Sequence, residues 1–286
     1  MTQSGLTAIL FPGQGSQEPG MSEVTRAHRP DLYEQALAEL GTDPFERIGE
    51  GTRFAQPAIY CASLAYWRQA GSPRGELLCG HSLGELAALA AGGALDAAGG
   101  LSLAILRGRL MDEAAEQRPG AMLAVLGPEE RTRELARRFE LTVANENAPG
   151  QLVLSGRSED VAAARREARA AELKAIRLPV AGAFHSPLMA DAADRFSSAL
   201  ETTPFRRPAV PVVSSTSAAR FADIRDGLAA ALTRPVARTR TLRYLHDHGV
   251  TRFLETGPGA VLTGLVRRTI PDAEAESLAE GVPVDA

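Results

Sequence analysis

The sequence predicts an α/β fold: a parallel sheet covered on both faces, with a smaller unit inserted into it. Three observations carry that expectation. Over the first hundred residues short apolar runs alternate with segments of helical spacing, the pattern of parallel strands joined by crossover helices. From Gly120 to Pro179 the rhythm changes to strand–helix–strand–strand–helix–strand, the order of a split-βαβ or ferredoxin-like unit. The 286 residues are 44% hydrophobic and 23% charged, ordinary values for a globular chain with a sizeable core.

Taken in order, Leu6–Phe11 is an uncharged apolar run ending in Pro12-Gly13-Gln14-Gly15-Ser16-Gln17, a strand feeding a glycine-rich turn. Residues 30–40 and 55–70 have helical spacing. Glu76–Cys79 reads as a second strand stopped at Gly80, and Leu83, Leu86, Ala87, Leu89 and Ala90 give the period of a helix after Ser82. The stretch Leu86–Leu106 carries Asp96 and is broken by Gly92-Gly93 and Gly99-Gly100. A membrane span needs about 20 strongly apolar residues, so two packed helices with a turn between them are expected, and no membrane association.

In the middle segment Ala121–Leu126 reads as a strand and Pro128–Phe139 as a helix. Leu141–Ala144 and Gln151–Ser155 read as strands joined by the turn-rich Asn145–Gly150, Arg157–Ala171 as a helix, and Leu173–Leu178 as a last strand. The division is therefore residues 1–119 and 180–286 as a large domain, with 120–179 inserted as a small one. After Asp272 the chain is acidic and polar, and a mobile tail is expected there.

Charge narrows the function. Lys and Arg number 31 against 35 Asp and Glu, a net −4, which argues against a nucleic-acid binder. Lys174 is the only lysine. Cys61 and Cys79 cannot make a disulfide framework and have no metal-ligand spacing, so reduced thiols in a cytoplasmic protein are expected. Met1–Ala8 lacks the basic start and apolar core of a signal peptide. Gly13-x-Gly15 has no third glycine at dinucleotide spacing; neither a metal nor an organic cofactor is expected.

Gly80-His81-Ser82-Leu83-Gly84 is a G-x-S-x-G sequence between a strand and a helix. There a sharp turn lifts the serine clear of the sheet, and the helix start offers free N–H groups to a developing oxyanion. Of five histidines, His28, His246 and His248 lie in polar surroundings and His81 adjoins the turn. His185 stands in the loop after the small domain's last strand, where a base would line a cleft between domains. Arg107 or Arg109, on a mostly apolar helix, calls for a partner, because an isolated buried charge is costly. A carboxylate would suit its guanidinium fork.

These motifs, together with Arg107-Gly108 and Met111, Asn147-Ala148-Pro149-Gly150-Gln151, Ala183-Phe184-His185-Ser186-Pro187-Leu188-Met189 and Glu255-Thr256-Gly257-Pro258-Gly259, resemble the malonyl-CoA:acyl carrier protein transacylases. That family includes the acyltransferase domains of polyketide synthases. The resemblance runs from about residue 8 to 270, and it implies an α/β-hydrolase-like large domain with the ferredoxin-like small domain against it. It implies Ser82 as nucleophile, His185 as base, the N–H groups of Gln14 and Leu83 as oxyanion hole, and Arg107 as the clamp for the malonyl carboxylate. His81, Phe184 and Asn147 are implied at the substrate, Phe184 as in malonyl-preferring members.

In the family a main-chain carbonyl, not an aspartate, orients the histidine. The family often has glutamine followed by tryptophan where this chain reads Pro235-Val236-Ala237-Arg238, so Ala237 is the position expected to supply that carbonyl. The implied reaction is ping-pong transfer from malonyl-CoA to an acyl carrier protein; an acyl hydrolase of the same fold is the alternative. Carrier proteins are acidic, which makes Arg206-Arg207 and Arg238-Arg240 the expected docking residues at the cleft mouth.

Overall fold

The computed structural model describes residues 5–279. The chain opens with strand β1 (Leu6–Phe11) and helices α1 (Met21–His28), α2 (Pro30–Leu40) and α3 (Thr52–Gln69), then β2 (Leu77–Gly80), α4 (Gly84–Ala91) and α5 (Ala97–Gln117). The insert follows as β3 (Gly120–Leu126), α6 (Glu129–Arg138), β4 (Thr142–Ala148), β5 (Gln151–Arg157), α7 (Ser158–Ala170) and β6 (Lys174–Arg177). The chain returns through α8 (Ala190–Thr202), β7 (Val212–Ser214), β8 (Ala219–Arg220), α9 (Ile224–Ala230), α10 (Arg238–Asp247), β9 (Val250–Glu255), α11 (Val261–Thr269) and β10 (Glu274–Ser277).

The large sheet has the order β10-β9-β1-β2-β7-β8, parallel except for β8 at one edge. At its centre β1 is apolar on both sides because both sides are covered. Ile9 and Phe11 face a core shared with α3, α4 and α5, while Ala8 and Leu10 face one shared with α10 and α11. The four strands of the insert form a separate antiparallel sheet, β4-β5-β3-β6. Leu123, Val125 and Leu154 turn one face toward α6 and α7. Met122, Ala124 and Val153 turn the other onto the large core, so a cleft forms where the two units meet.

The main-chain seam between them is short. Val236 N–H donates to Ala144 O at 2.8 Å and Val236 O accepts from Glu146 N–H at 2.9 Å, a parallel bridge beside β4. This explains one departure from expectation. The segment Asn145–Gly150 is not a turn: β4 runs on through Ala148, because Val236 gives its outer edge backbone partners, and two bulges absorb the irregularity. Only Pro149-Gly150 turns.

Other expectations also shift. The residues after Asp272 are not simply a tail: Glu274–Ser277 pairs with β9 as an edge strand, and 280–286 lie outside the described residues. Gly99-Gly100 does not break the chain, since α5 begins at Ala97 with the Asp96 carboxylate accepting from Gly99 N–H at 3.3 Å. Helix α1, which buries only Met21 and Thr25, was not expected from the sequence. Among the described residues no helix is long and apolar enough to cross a membrane.

Candidate active site

Between β2 and α4 the chain must turn within Gly80–Gly84. Ser82 does so in the left-handed region, φ 52°, a conformation that costs a non-glycine residue on the order of 1–3 kcal/mol and is found at functional sites. The flanking glycines are steric necessities. A Cβ on Gly84 would lie 2.1 Å from Phe11 O, and one on Gly80 2.0 Å from Glu85 N. His185 is likewise left-handed, φ 57°, in the loop between β6 and α8.

These two strained residues meet. Ser82 Oγ lies 2.9 Å from His185 Nε2, and His185 Nδ1 lies 2.7 Å from Ala231 O. The carbonyl that orients the ring thus belongs to Ala231, not to Ala237: Ala237 N–H donates to Ser215 O, and its own carbonyl accepts from Thr241 in α10. With Nδ1–H donating to Ala231, Nε2 is left as the acceptor for the serine proton, the tautomer a base needs. Burial, and then the Arg107 charge, pull the His185 pKa down to about 4, against hydrogen bonds to Ala231 and Arg234 that hold it up. The imidazole is therefore neutral at physiological pH. Below that value it is protonated and cannot accept, so kcat/KM for acyl-enzyme formation is expected to stay flat from pH 7 down to about 5 and to fall through about 4. A midpoint near 6.5 in a stopped-flow pH profile would contradict this burial.

Arg107, on α5, is only 4% exposed. Its Nη2 donates to Ser82 Oγ at 3.0 Å and its Nη1 to Gln56 Oε1 at 2.7 Å, and among the described residues no carboxylate lies within salt-bridge distance of it. Desolvation lowers its pKa to about 10, with buried Glu85 opposing. A buried guanidinium without an anion is an unfinished ion pair, and it faces the cleft. Arg109 instead turns outward toward Glu113.

Behind Arg107 the hydrogen-bond directions are fixed. Because Gln56 Oε1 accepts from the arginine, its Nε2 donates to Thr52 Oγ1 at 2.8 Å, and the Thr52 hydroxyl donates to Gln14 Oε1 at 3.0 Å. Gln56 and Thr52 were not singled out from the sequence. The available signal was an amide inside the apolar run Phe54–Cys61, which a buried helix face has to satisfy.

The backbone N–H groups of Leu83 and Gln14 donate to no protein acceptor among the described residues, and both residues line the cleft. Leu83 also precedes the first residue of α4, where the helix dipole favours negative charge. The cavity, about 220 Å³, brings together Gln14, His81, Ser82, Leu83, Arg107, Asn147, Phe184 and His185, the catalytic and substrate-site residues expected from the sequence. Burial and the Arg238 charge hold His81 neutral, its pKa down to about 3. Asn147 Oδ1 is buried without a protein partner, an acceptor left for a ligand. Met111, already part of the Arg107 motif, and Met122, Val261 and Leu265, which the sequence did not mark, complete apolar walls.

Glu255 has a supporting role. Its carboxylate accepts from Leu262 N–H at 3.0 Å and Thr263 N–H at 2.6 Å, so the Glu255–Gly259 motif ties the end of β9 to the α11 wall of the cleft. Three of the four docking candidates are misplaced. Arg238 is fully buried, donating to Cys79 Sγ at 3.3 Å. Arg206 and Arg207 border a different groove, with Leu89 and Phe221, that shares no residue with the cleft. Arg240 is exposed and reaches Glu146 at 3.4 Å.

A hydroxyl on a bend, a neutral imidazole, two free amides and an unpaired buried cation together fit covalent transfer of an acyl group bearing an anionic end. Comparison with known proteins agrees. The acyl transferase domain family matches residues 43–284. A malonyl CoA-acyl carrier protein transacylase of Salmonella typhimurium is 36% identical, with 98% of this chain and 97% of that protein covered. BaeC of Bacillus velezensis, described as a polyketide biosynthesis malonyl CoA-acyl carrier protein transacylase, is also 36% identical, covering 94% of this chain and 99% of its own. The solved malonyl CoA-acyl carrier protein transacylase from Coxiella burnetii aligns with a TM-score of 0.88 at 34% identity, over 96% of this chain and 94% of that one.

Proposed function

The chain belongs to the malonyl-CoA:acyl carrier protein transacylase family of acyl transferases, and from that premise we propose how its residues carry the reaction. The enzyme moves a malonyl group from malonyl-CoA to the phosphopantetheine thiol of an acyl carrier protein, a step used in fatty-acid and polyketide biosynthesis. Its relatives favour transfer over release to water, so the hydrolase alternative is set aside. The inserted unit is the ferredoxin-like small domain, residues 120–179, and the remainder the α/β-hydrolase-like large domain, in a protein of the cytoplasm.

His185 Nε2 takes the Ser82 proton as Oγ attacks the thioester carbonyl. The tetrahedral oxyanion rests on the Leu83 and Gln14 N–H groups, where one such donor is worth about 2.7–4 kcal/mol in comparable enzymes. The intermediate collapses, His185 gives its proton to the departing coenzyme A sulfur, and a malonyl-Ser82 ester remains. The carrier thiol then loses its proton to His185, attacks the ester and leaves as malonyl thioester, with Ser82 reprotonated. Throughout, Arg107 turns from the serine hydroxyl to the malonyl carboxylate, while Gln56 and Thr52 hold its fork. Phe184 and Met122 bound the space beside the acyl group.

The observation that carries this reading is the buried arginine within 3.0 Å of the nucleophile and without a carboxylate partner. Arg107→Ala is expected to lower malonyl transfer by about 3 kcal/mol, on the order of 10²-fold, while acetyl transfer falls little or rises. The check is initial rates with malonyl-CoA and acetyl-CoA side by side; malonyl transfer that survives unchanged removes the clamp assignment.

A further inference from the structure

Only three large hydrophobic side chains are substantially exposed among the described residues: Leu6, Ile176 and Val261, at 37%, 46% and 48%. One of them lines the cleft and a second lies on a row of side chains that leads to it. Val261, the first residue of α11, lines it directly. Ile176 reaches it through the small sheet, because residues paired in register point to the same face. Ile176 is paired with Ala124, and Ala124 with Val153, so one cross-strand row runs from the cleft wall at Val153 out to the free edge of β6. Along β6 the same face carries Leu178, which lines the cleft, then Ile176, then Lys174. Lys174 and Arg177 are both exposed and neither has an ion-pair or hydrogen-bond partner among the described residues. The strand between them is the outer edge of its sheet.

An apolar residue and a free cation on the face that leads down to the nucleophile, with a second free cation, Arg177, at the same sheet edge but on the opposite face beside Leu123, suit a partner with an acidic surface, a small apolar contact and a long arm to insert. We propose that the edge strand Lys174–Arg177 is the docking strip for the acyl carrier protein, with Ile176 its apolar contact and Lys174 and Arg177 the pair for carrier carboxylates. This rests on the transfer reading above and replaces Arg206-Arg207 and Arg238 as the docking residues. Charge complementarity favours this partner: on a chain of net −4 an acidic protein is steered to local unpaired cations, and these two stand on the edge strand that leads to the cleft. The strip adds nothing to the chemistry at Ser82, and it acts in the second half-reaction alone.

The two halves can be measured apart. In the Lys174→Glu/Arg177→Glu double variant and in Ile176→Ser, malonyl-enzyme formation from malonyl-CoA, followed by intact mass, is expected to match the wild type. So is transfer to free pantetheine, which also shows that the variants are folded. The KM for the carrier protein should rise at least tenfold in the double variant and several-fold in Ile176→Ser, and the wild-type carrier KM should rise with salt while the variant's does not. A carrier KM unchanged in all variants overturns the strip. A wild-type protein that acquires no malonyl group overturns the transfer reading itself, a different result from either.

Discussion

Ser82→Ala is expected to yield a folded protein that acquires no malonyl group from malonyl-CoA. Alanine keeps the backbone of the bend, including its left-handed φ of 52°, and removes only the oxygen that bonds His185 and Arg107. Losing a serine nucleophile in a comparable hydrolytic triad lowers kcat by on the order of 10⁶, and among the described residues no other hydroxyl hydrogen-bonds to His185 Nε2. Intact-mass spectrometry after incubation with malonyl-CoA is the measurement: the wild type should gain one malonyl group and the variant none. An adduct on the variant would place the nucleophile elsewhere. The same variant should still bind malonyl-CoA, since Arg107 and the cleft walls are untouched, so a ligand-induced rise in melting temperature is expected to persist.

His185→Ala is the second large effect, a fall in transfer rate on the order of 10⁶-fold by analogy with loss of the histidine in a comparable triad, and its pH profile is its signature. In the wild type the base is neutral above about pH 4, and the rate should not depend on pH through the neutral range. Without the imidazole, Ser82 retains the hydrogen bond from Arg107, which favours the alkoxide, and hydroxide has to remove the proton. The residual rate is therefore expected to climb roughly tenfold per pH unit up to the alkaline limit set by stability. A residual rate that is flat with pH would mean that another side chain serves as the base.

The parts of this molecule that were legible in the sequence are those where local chemistry and tertiary role coincide. Strand β1 is apolar from Ala8 to Phe11 because both its faces are buried there, and the serine turn is written in the two glycines that its close approaches demand. His185 and Arg107 stood out as polar residues in apolar or loop settings where each needs a partner. What was not legible depends on pairing across the chain. The carbonyl that orients His185 has no side-chain signature, so Ala231 is indistinguishable from its neighbours until the fold sets it 2.7 Å from Nδ1. Asn145–Ala148 looks like a turn by composition and becomes a strand because Val236, 91 residues on from Asn145, supplies its partners. Arg238 looks like surface charge on a polar helix but is swallowed between Cys79 and the cores around α10. Local propensity did not predict these three outcomes, and contacts distant in sequence decided them.

The seam at Val236 has a mechanical consequence. Four residues separate it from Ala231, and on its far side Glu146 is gripped by Arg133 at 2.8 Å and by the Thr239 hydroxyl at 3.1 Å through its carbonyl. Swinging the two lobes apart would drag on the very peptide that aims the imidazole, so the enzyme disarms itself if it gapes. Donor and acceptor then use the same cleft in turn, since each must reach Ser82 Oγ. Shelter of the ester from water falls to whichever guest is plugging the opening, with no moving flap required.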